Sequence, residues 1–378
     1  MLAAGFISAA SLGKLVPHLD WLVRAYGVPL GAAGFAVSCV MLPGALAGWS
    51  FGALADRFGA KPVAIAGLLL AALASLGGAF APSFSALIVL RIVEGIGYTL
   101  LVVAATVIVV RVVPGQTALA LSVWSSFAPI GFALGQWAAA YASEPPLRPV
   151  GIAHAGVLAL AAVALHLSVK ATPGTPRARA SSSGVLRHAP AQLTALAFGG
   201  TCAVLLASVA LAPVVLANQT QLPVAHVASL TAIAALPAIV GRIAPGWLLD
   251  RGVPAFTVFL SASVLAAVTL AAGLLAPIPL VLALAFFCAF QILAGALPGL
   301  LSAMLPHVAP APAQLGTVSG MCSQSVNVGN LVGPPLALAV YASAGTATAV
   351  LMLVALLAAS VLAIARLAVF RQDLSQTG

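Results

Sequence analysis

The sequence predicts an all-α integral membrane protein: twelve transmembrane helices in two six-helix halves around a central cavity. Hydrophobic residues make up 62% of the 378 residues and charged residues only 6%, whereas soluble domains carry about 25% charged residues. Within lipid every backbone polar group must be paired internally, so the spans are helices or a closed barrel. Continuous apolar runs such as 63–80 and 347–367 lack the two-residue alternation of barrel strands, which favours helices.

The spans follow from the length that a membrane requires, because a helix needs roughly 20 apolar residues to cross the hydrocarbon core. Dividing the chain at Pro, Gly and charge clusters gives twelve spans: 3–24, 30–54, 62–80, 85–110, 117–141, 151–169, 192–216, 226–248, 254–275, 279–303, 315–341 and 346–369. The segment 172–184 is rich in Pro, Ser, Gly and Arg and is therefore a flexible connector. The predicted division is an N-terminal half (1–169), a linker (170–191), a C-terminal half (192–370) and a tail (371–378).

A polar motif, G-x-x-x-D-R, occurs at 52–57 and again at 246–251, about half the chain later. Each copy lies in a short polar gap between two apolar spans. A polar connection duplicated in this way indicates a membrane transporter built from two repeats around a central site.

The distribution of basic residues orients the chain in the membrane. Both motif copies fall on one side of the membrane, together with Arg111, Arg177, Arg179, Arg187 and Arg371. The other side holds Arg24 and Arg148, offset by Asp20 and Glu144. The excess predicts cytoplasmic termini and a cytoplasmic linker. It also accounts for the formal net charge of +9 without a nucleic-acid partner. The high content of Ala, Gly and Pro favours a bacterial inner membrane.

Twelve spans, a central linker and the motif in both the 2–3 and the 8–9 loop together resemble the major facilitator superfamily. That family's loop motif reads G-x-x-x-D-R-x-G-R-[RK]. The matching residues of the first copy are Gly52, Asp56, Arg57, Gly59 and Lys61, with Ala60 in place of a basic residue; the second copy keeps Gly246, Asp250 and Arg251. The resemblance implies a secondary transporter. The opening G-K-x-x-P at 13–17 resembles the bacterial branch with cyanate and nitroimidazole permeases.

The loop motif predicts a gate. Gly52 permits close approach of another helix, and Asp56 is expected to accept hydrogen bonds from the first amides of a neighbouring helix. Arg57, Lys61, Asp250 and Arg251 are assigned to the same gating set; the alternative is that the charges only fix topology. Proline and glycine in spans 5 and 11, namely Pro129, Gly333 and Pro334, suit bending helices, or tight packing alone.

Three charged residues stand out inside the apolar spans: Lys14, Arg91 and Glu94. A charge inside a bilayer is costly, so each is a functional candidate. Arg242, inside span 8 near the cytoplasmic side, is assigned a structural role, with solute contact in the inward state as the alternative. Span 4 resembles the family motif R-x-x-Q-G-x-G with Glu94 in place of Gln, and the resemblance places spans 1 and 4 at the cavity. Two cations against one carboxylate favour an anionic solute. Glu94 takes up a coupling proton or forms a permanent ion pair with Arg91, and Lys14 faces the cavity or snorkels to the outer interface.

Further candidates for the solute site are polar or aromatic residues in the spans: Tyr98, Trp124, Gln291, Gln324 and Asn327. For each, helix–helix packing is an equal alternative. The six histidines mostly lie near span ends or in loops, and they are assigned to the interface or to solvent, with a proton relay as the alternative. The expected partners are a small, anionic solute, protons and the lipid bilayer, with no cofactor and no metal; a monomer is expected.

The sequence therefore predicts a secondary transporter that moves a small organic anion by alternating access, in proton-coupled import. The alternative is a drug or metabolite exporter of the same fold. No H-E-x-x-H, G-x-S-x-G or P-loop motif is present, so an enzyme is not expected. A sensor that binds the solute without moving it stays open as a third possibility.

Overall fold

A computed structural model of the chain describes residues 1–113, 115–142, 145–169 and 182–367. These residues form helices joined by turns, with no strand among them. Eleven stretches are long and apolar enough to cross a membrane, and we label them α1 to α11 in chain order: Leu2–Tyr26, Gly31–Phe58, Ala60–Ala79, Phe84–Val112, Thr117–Ala140, Leu147–Ser168, Ala189–Thr220, His226–Leu249, Ala255–Leu275, Leu280–Val308 and Pro312–Ala365. The all-helical membrane fold is confirmed.

The count of eleven differs from the predicted twelve because α11 covers spans 11 and 12. Gly345 has φ 80° and ψ 179° inside this stretch, a backbone conformation that only glycine adopts readily. The non-helical residue falls in the gap that the sequence places between the two spans. Gly345 therefore divides α11 into two helical segments.

Four of the helices α1 to α10 are interrupted inside the membrane-spanning stretch. α1 consists of Leu2–Gly13, a 3-10 turn Val16–His18 and Leu19–Tyr26; α2 of Leu30–Ser38, a 3-10 turn Cys39–Met41 and Leu42–Phe58; α5 of Thr117–Ser125 and Phe127–Ala140; α8 of Val224–Ala235 and Ala238–Leu249. A proline lies at or shortly after each break, at Pro17, Pro43, Pro129 and Pro237. Proline has no N–H for the carbonyl four residues earlier, and it disfavours helical geometry in the residue before it. Carbonyls near these breaks are therefore available to side chains.

The contacts divide the chain into two compact units. The first contains Met1–Val112, Phe127–Arg187 and Ala309–Gln324; the second contains Val113–Ser126, His188–Val308 and Ser325–Gly378. In the first unit, α3 packs on α4 and α6, and α1 packs on the second part of α5. In the second unit, α8 and α9 pack on α10. The predicted linker boundaries stay a prediction, since residues 170–181, with Arg177 and Arg179, lie outside the described residues, as do Glu144 and the tail with Arg371.

Candidate functional site

Three charged side chains meet inside the first unit. The carboxylate of Glu94 receives Lys14 Nζ on Oε1 and Arg91 Nη1 on Oε2, each at 2.6 Å. The side chains of Lys14, Arg91 and Glu94 are 7%, 2% and 1% exposed. Arg91 and Glu94 are one turn apart on α4, so they share a helical face. The three intramembrane charges that the sequence singles out thus form one buried cluster.

Arg91 is held by backbone carbonyls at two helix breaks. Its Nε donates to Ala36 O at 3.0 Å and its Nη2 to Ser11 O at 2.7 Å. Ser11 lies in the last turn of Leu2–Gly13, and Ala36 in the last turn of Leu30–Ser38. Carbonyls in a last turn lack an intrahelical partner and carry the negative end of the helix dipole. Arg91 therefore ties α1, α2 and α4 together through its planar fork of donors.

The ammonium group of Lys14 lies within hydrogen-bonding distance of three different partners. Its Nζ lies 2.6 Å from Glu94 Oε1, 2.8 Å from Ser75 Oγ and 3.1 Å from His154 Nδ1. An ammonium group has three donors, so this geometry satisfies all of them. The alternative that Lys14 snorkels to the outer interface is wrong for this structure, because the lysine points into the bundle, while its role in solute binding stays a prediction.

His154 of α6 also belongs to the cluster, although it is not among the site residues that the sequence predicts. Its Nδ1 is 3.3 Å from Glu94 Oε1, its Nε2 is 2.9 Å from Ile7 O, and the side chain is 9% exposed. The assignment of this histidine to the interface or to solvent is wrong. The cause is a boundary: the predicted span 6 begins at residue 151, whereas α6 begins at Leu147 with Pro149 in its first turn, where proline is tolerated. His154 consequently lies in the third turn of the membrane helix.

A small cavity of about 20 Å³ borders the cluster and is lined by residues of α1, α3, α4 and α6. This volume admits about one water molecule, and it is far too small for an organic solute. Two cations face one carboxylate, so the cluster carries one net positive charge while His154 is neutral. A buried net charge of this kind favours an anion as a partner.

The first loop motif makes a helix cap inside the first unit. Asp56 Oδ1 accepts from Gly316 N at 2.9 Å, and Oδ2 accepts from Thr317 N at 2.7 Å and from Thr317 Oγ1 at 2.6 Å. Gly316 and Thr317 begin the helix Leu315–Ala365 of α11. A Cβ on Gly52 would collide with the Gly316 carbonyl, so the close approach requires glycine. The contact expected of Asp56 is present; its role as a gate stays a prediction.

The second motif copy is built differently. Gly246 packs closely against Leu119 of α5, where a Cβ would lie 2.6 Å from the Leu119 Cα, but Asp250 is exposed and α5 has no side-chain cap at its start. Arg242 instead donates from Nη1 to Ser125 O at 2.9 Å. Pro129, four residues after Ser125, has no N–H for that carbonyl, which leaves it to the arginine.

The remaining basic residues of the motif lie at the helix ends. Arg57 is exposed and stacks on the ring of Phe58, with Cζ 4.8 Å from the ring centroid. Lys61 Nζ donates to His166 O at 2.7 Å. Arg251 stacks on Trp247 at 3.4 Å. These positions suit the headgroup region, where basic and aromatic side chains anchor helices.

The proline and glycine candidates of α11 lie within its helical part. Pro334 is inside the helix, and Gly333 packs so closely on α7 that a Cβ would lie 2.7 Å from Ala203 O. The non-helical residue of α11 is Gly345. Close packing is thus observed at Gly333, while bending of this helix during transport stays a prediction.

The other candidates for the solute site are distributed over both units. In the first unit, the Tyr98 ring packs 6.3 Å from that of Phe127, and Gln324 Oε1 accepts from Trp49 N at 3.4 Å. In the second unit, Gln291 Nε2 donates to Ser208 Oγ at 3.4 Å, and Trp124 and Asn327 are buried. None of these five residues is among the hydrogen-bonding and ion-pair partners described above for the Lys14–Arg91–Glu94 cluster.

Comparison with known proteins agrees with this architecture. The family model described as Major Facilitator Superfamily matches residues 1–314. The chain is 35% identical over 95 residues to the multidrug transporter AQR1 of Candida glabrata and 34% identical over 94 residues to the uncharacterized MFS-type transporter YybF of Bacillus subtilis. Each match covers 25% of this chain, but only 16% of the first relative and 23% of the second, so the chain spans less than a quarter of these relatives.

Two solved structures share the fold along nearly the whole chain. The human organic anion transporter MFSD10 superposes with a TM-score of 0.72 at 16% identity, covering 96% of this chain and 97% of its own. The E. coli fucose:proton symporter FucP superposes with a TM-score of 0.72 at 17% identity, covering 98% of both chains. At these identities the likeness establishes the fold alone. With a family model matched over most of its length, the chain belongs to the major facilitator superfamily.

Proposed function

We propose that this protein is a secondary transporter that moves a small organic anion across a bacterial inner membrane by alternating access, with cytoplasmic termini and in proton-coupled import. The observation that carries the proposal is the buried cluster in which Lys14 and Arg91 share a single carboxylate, that of Glu94. One net positive charge in a low-dielectric region concentrates solutes of negative charge.

The closed state of the cluster supports an alternating mechanism. A cavity of about 20 Å³ holds no organic anion, so binding requires a second arrangement of the helices that opens the space around Lys14 and Arg91. In that arrangement the solute's carboxylate takes the place of one of the partners that the cations have here. The cap between Asp56 and Thr317 is a contact that such a rearrangement breaks and remakes.

The comparisons supply precedents for such transport by this fold. A protein named as an organic anion transporter and one named as a fucose:proton symporter share this fold. Their identity to this chain is too low to transfer a solute, and the proposal therefore rests on the charges of the cluster.

Flux into proteoliposomes tests the proposal. Purified protein is reconstituted, and the uptake of labelled small carboxylates is compared between the wild type, K14Q and the control R24Q, which alters an exposed arginine outside the cluster and outside the loop motifs. We expect saturable uptake of at least one carboxylate, reduced at least tenfold in K14Q and little changed in R24Q. Uptake of neutral or cationic compounds alone, unaffected by K14Q, would overturn the proposal.

The second candidate is a drug or metabolite exporter. It is favoured by the identity of 35% over 95 residues to a protein named as a multidrug transporter. Glu94, the acid of the buried cluster, is neutralised by two cations, which argues against a cationic drug as the solute. The same vesicles, loaded with lipophilic cations and neutral drugs, decide between the two candidates by the direction and the charge of the compound that moves.

A further inference from the structure

The imidazole of His154 contacts the buried cluster from helix α6. Its Nδ1 lies 3.1 Å from Lys14 Nζ, 3.2 Å from Ser75 Oγ and 3.3 Å from Glu94 Oε1. Its other nitrogen, Nε2, lies 2.9 Å from the Ile7 carbonyl. Both ring nitrogens are thus engaged, and only the side of Nδ1 faces charged groups.

These contacts fix the tautomer. A carbonyl only accepts hydrogen bonds, so Nε2 carries the proton that is donated to Ile7 O. In the neutral ring, Nδ1 is then an acceptor, and it receives a hydrogen bond from the ammonium group of Lys14. Once a proton binds, Nδ1 becomes a donor, and the charged acceptor within reach is Glu94 Oε1.

Protonation of the imidazole ring places a second positive charge beside that of Lys14. Two positive groups 3.1 Å apart compete for the same carboxylate oxygen, Glu94 Oε1, which lies 2.6 Å from Lys14 Nζ. Like charges at this distance repel strongly where water is scarce. The imidazolium therefore takes over the hydrogen bond to Glu94, and the ammonium group is released.

We propose that His154 binds the proton that drives transport, and that its protonation frees Lys14 from Glu94 to meet the carboxylate of the solute. This inference rests on the proposed function and names its coupling residue. The net charge of the cluster rises from one positive charge to two, so proton and anion each strengthen the binding of the other, as symport requires.

Among the residues that the structure describes, the charged groups in contact with His154 belong to the cluster. α6 packs against α1 and α3. The first contributes Lys14, and α4 contributes Glu94 with Arg91 on its far oxygen; α3 contributes the hydroxyl of Ser75, while its Lys61 lies at the opposite end, bonded to the His166 carbonyl. Lys14 is thus the cation in direct contact with Nδ1.

Two neighbouring cavities lie between the cluster and the surface of the same unit. The cavity of about 20 Å³ at the cluster and a surface pocket of about 370 Å³ share one lining residue, Leu147. The pocket is lined by Trp21, Tyr26, Phe80 and Arg148 at the ends of their helices, on the side away from the loop motif. The inner cavity has room for about one water molecule. Movement of the Leu147 side chain would connect that water to the pocket.

The first test is a pH titration of folding that needs no solute. H154Q retains an amide donor for Ile7 O and an oxygen acceptor for Lys14, but it binds no proton near neutral pH. Between pH 7.5 and pH 5.5 we expect the melting temperature of the wild type to fall by about 1–2 °C, an effect of about 1 kcal/mol. The profile of H154Q stays flat over this range, and the control H18Q, at another buried histidine, follows the wild type. Equal profiles of H154Q and the wild type would overturn the inference.

A second variant covers a failure of H154Q to fold. K14M removes the ammonium group that opposes protonation of His154, so the folded state takes up the proton more readily and the fall in melting temperature between pH 7.5 and pH 5.5 is smaller than in the wild type. A fall as large as in the wild type would overturn the inference.

A flux experiment distinguishes a failure of the inference about His154 from a failure of the proposed function. In proteoliposomes, an inward proton gradient accelerates anion uptake by the wild type, whereas H154Q exchanges anions between the two sides and gains no acceleration. Gradient-driven uptake retained in H154Q overturns the role of His154 and leaves anion transport intact. No flux of any anion in the wild type overturns the proposed function, and the pH titration then decides separately whether His154 is the proton site.

Discussion

Lys14 Nζ lies 2.6 Å from Glu94 Oε1 although 80 residues separate them, and both side chains are buried in the first unit. The other oxygen of the same carboxylate holds Arg91. One acid therefore compensates two bases that come from different helices. The relationship explains how three costly charges persist inside a lipid-embedded bundle, and it predicts what happens when any one is removed.

Replacement of Glu94 by glutamine leaves two buried cations without a counter-charge. Breaking a buried ion pair from one side costs about 3–5 kcal/mol. We expect E94Q to melt at a clearly lower temperature in detergent and to be produced in lower yield. The double variant K14M/E94Q removes one cation as well and is expected to recover part of the loss. A double variant no more stable than E94Q would contradict this account of the pair.

Arg91→Lys keeps the charge but loses the fork of donors. Lysine cannot serve Glu94, Ser11 O and Ala36 O together, because its three donors radiate from one atom and the guanidinium's from three. We expect the loss of two charge-assisted hydrogen bonds, each worth about 1.5–3 kcal/mol. Thermal unfolding measures the effect. Stability equal to the wild type would show that the carbonyls of the two helix breaks need no arginine.

Asp56→Asn tests the cap on α11. Asparagine keeps one oxygen, but it loses the charge and one acceptor, so at least one of the three bonds from Gly316 and Thr317 is lost. We expect destabilisation by about 0.5–2 kcal/mol, the range measured for lost caps. The matched control is Asp250→Asn in the second motif copy, where the carboxylate is exposed. Equal effects of the two variants would contradict a special role of Asp56.

Gly52→Ala tests the close approach beside that cap. Its new methyl group collides with the carbonyl of Gly316, which is backbone and yields only if α11 moves. We expect a loss of about 1–3 kcal/mol, as for other overpacked sites. Gly34→Ala in the same helix α2 meets nothing within 4 Å and is the control. Melting temperatures of the two variants are compared, and a loss in G34A as large as in G52A would refute the steric explanation.

The membrane-spanning fold could be predicted from the sequence because long apolar segments without charges are local properties of the chain. The predicted gap between spans 11 and 12 contains Gly345, where the helix breaks. The same locality accounts for Lys14, Arg91 and Glu94, since a charge within an apolar span is conspicuous without any knowledge of packing.

The contacts of Lys14 that the sequence does not predict depend on how the helices pack against one another. No sequence pattern places Ser75 and His154 against Lys14, since their contacts arise from the packing of α1, α3 and α6. For His154, one signal was available: a helix start at Leu147 puts Pro149 in the first turn, where it fits, and moves the histidine well into the span. The two loop motifs read alike, but only Asp56 caps a helix among the described residues, because Asp250 ends its own helix at an exposed position.

Whether the Lys14–Arg91–Glu94 cluster binds an anion is tested by the melting temperature of the purified protein against a panel of small carboxylates, inorganic anions and lipophilic cations, with K14Q and R24Q alongside. A ligand that binds only the folded state adds about 2.7 kcal/mol of stability at a hundred times its dissociation constant. We expect stabilisation by one class of carboxylate in the wild type and in R24Q, and its loss in K14Q. Stabilisation by cations or neutral drugs that persists in K14Q would refute anion binding at the cluster.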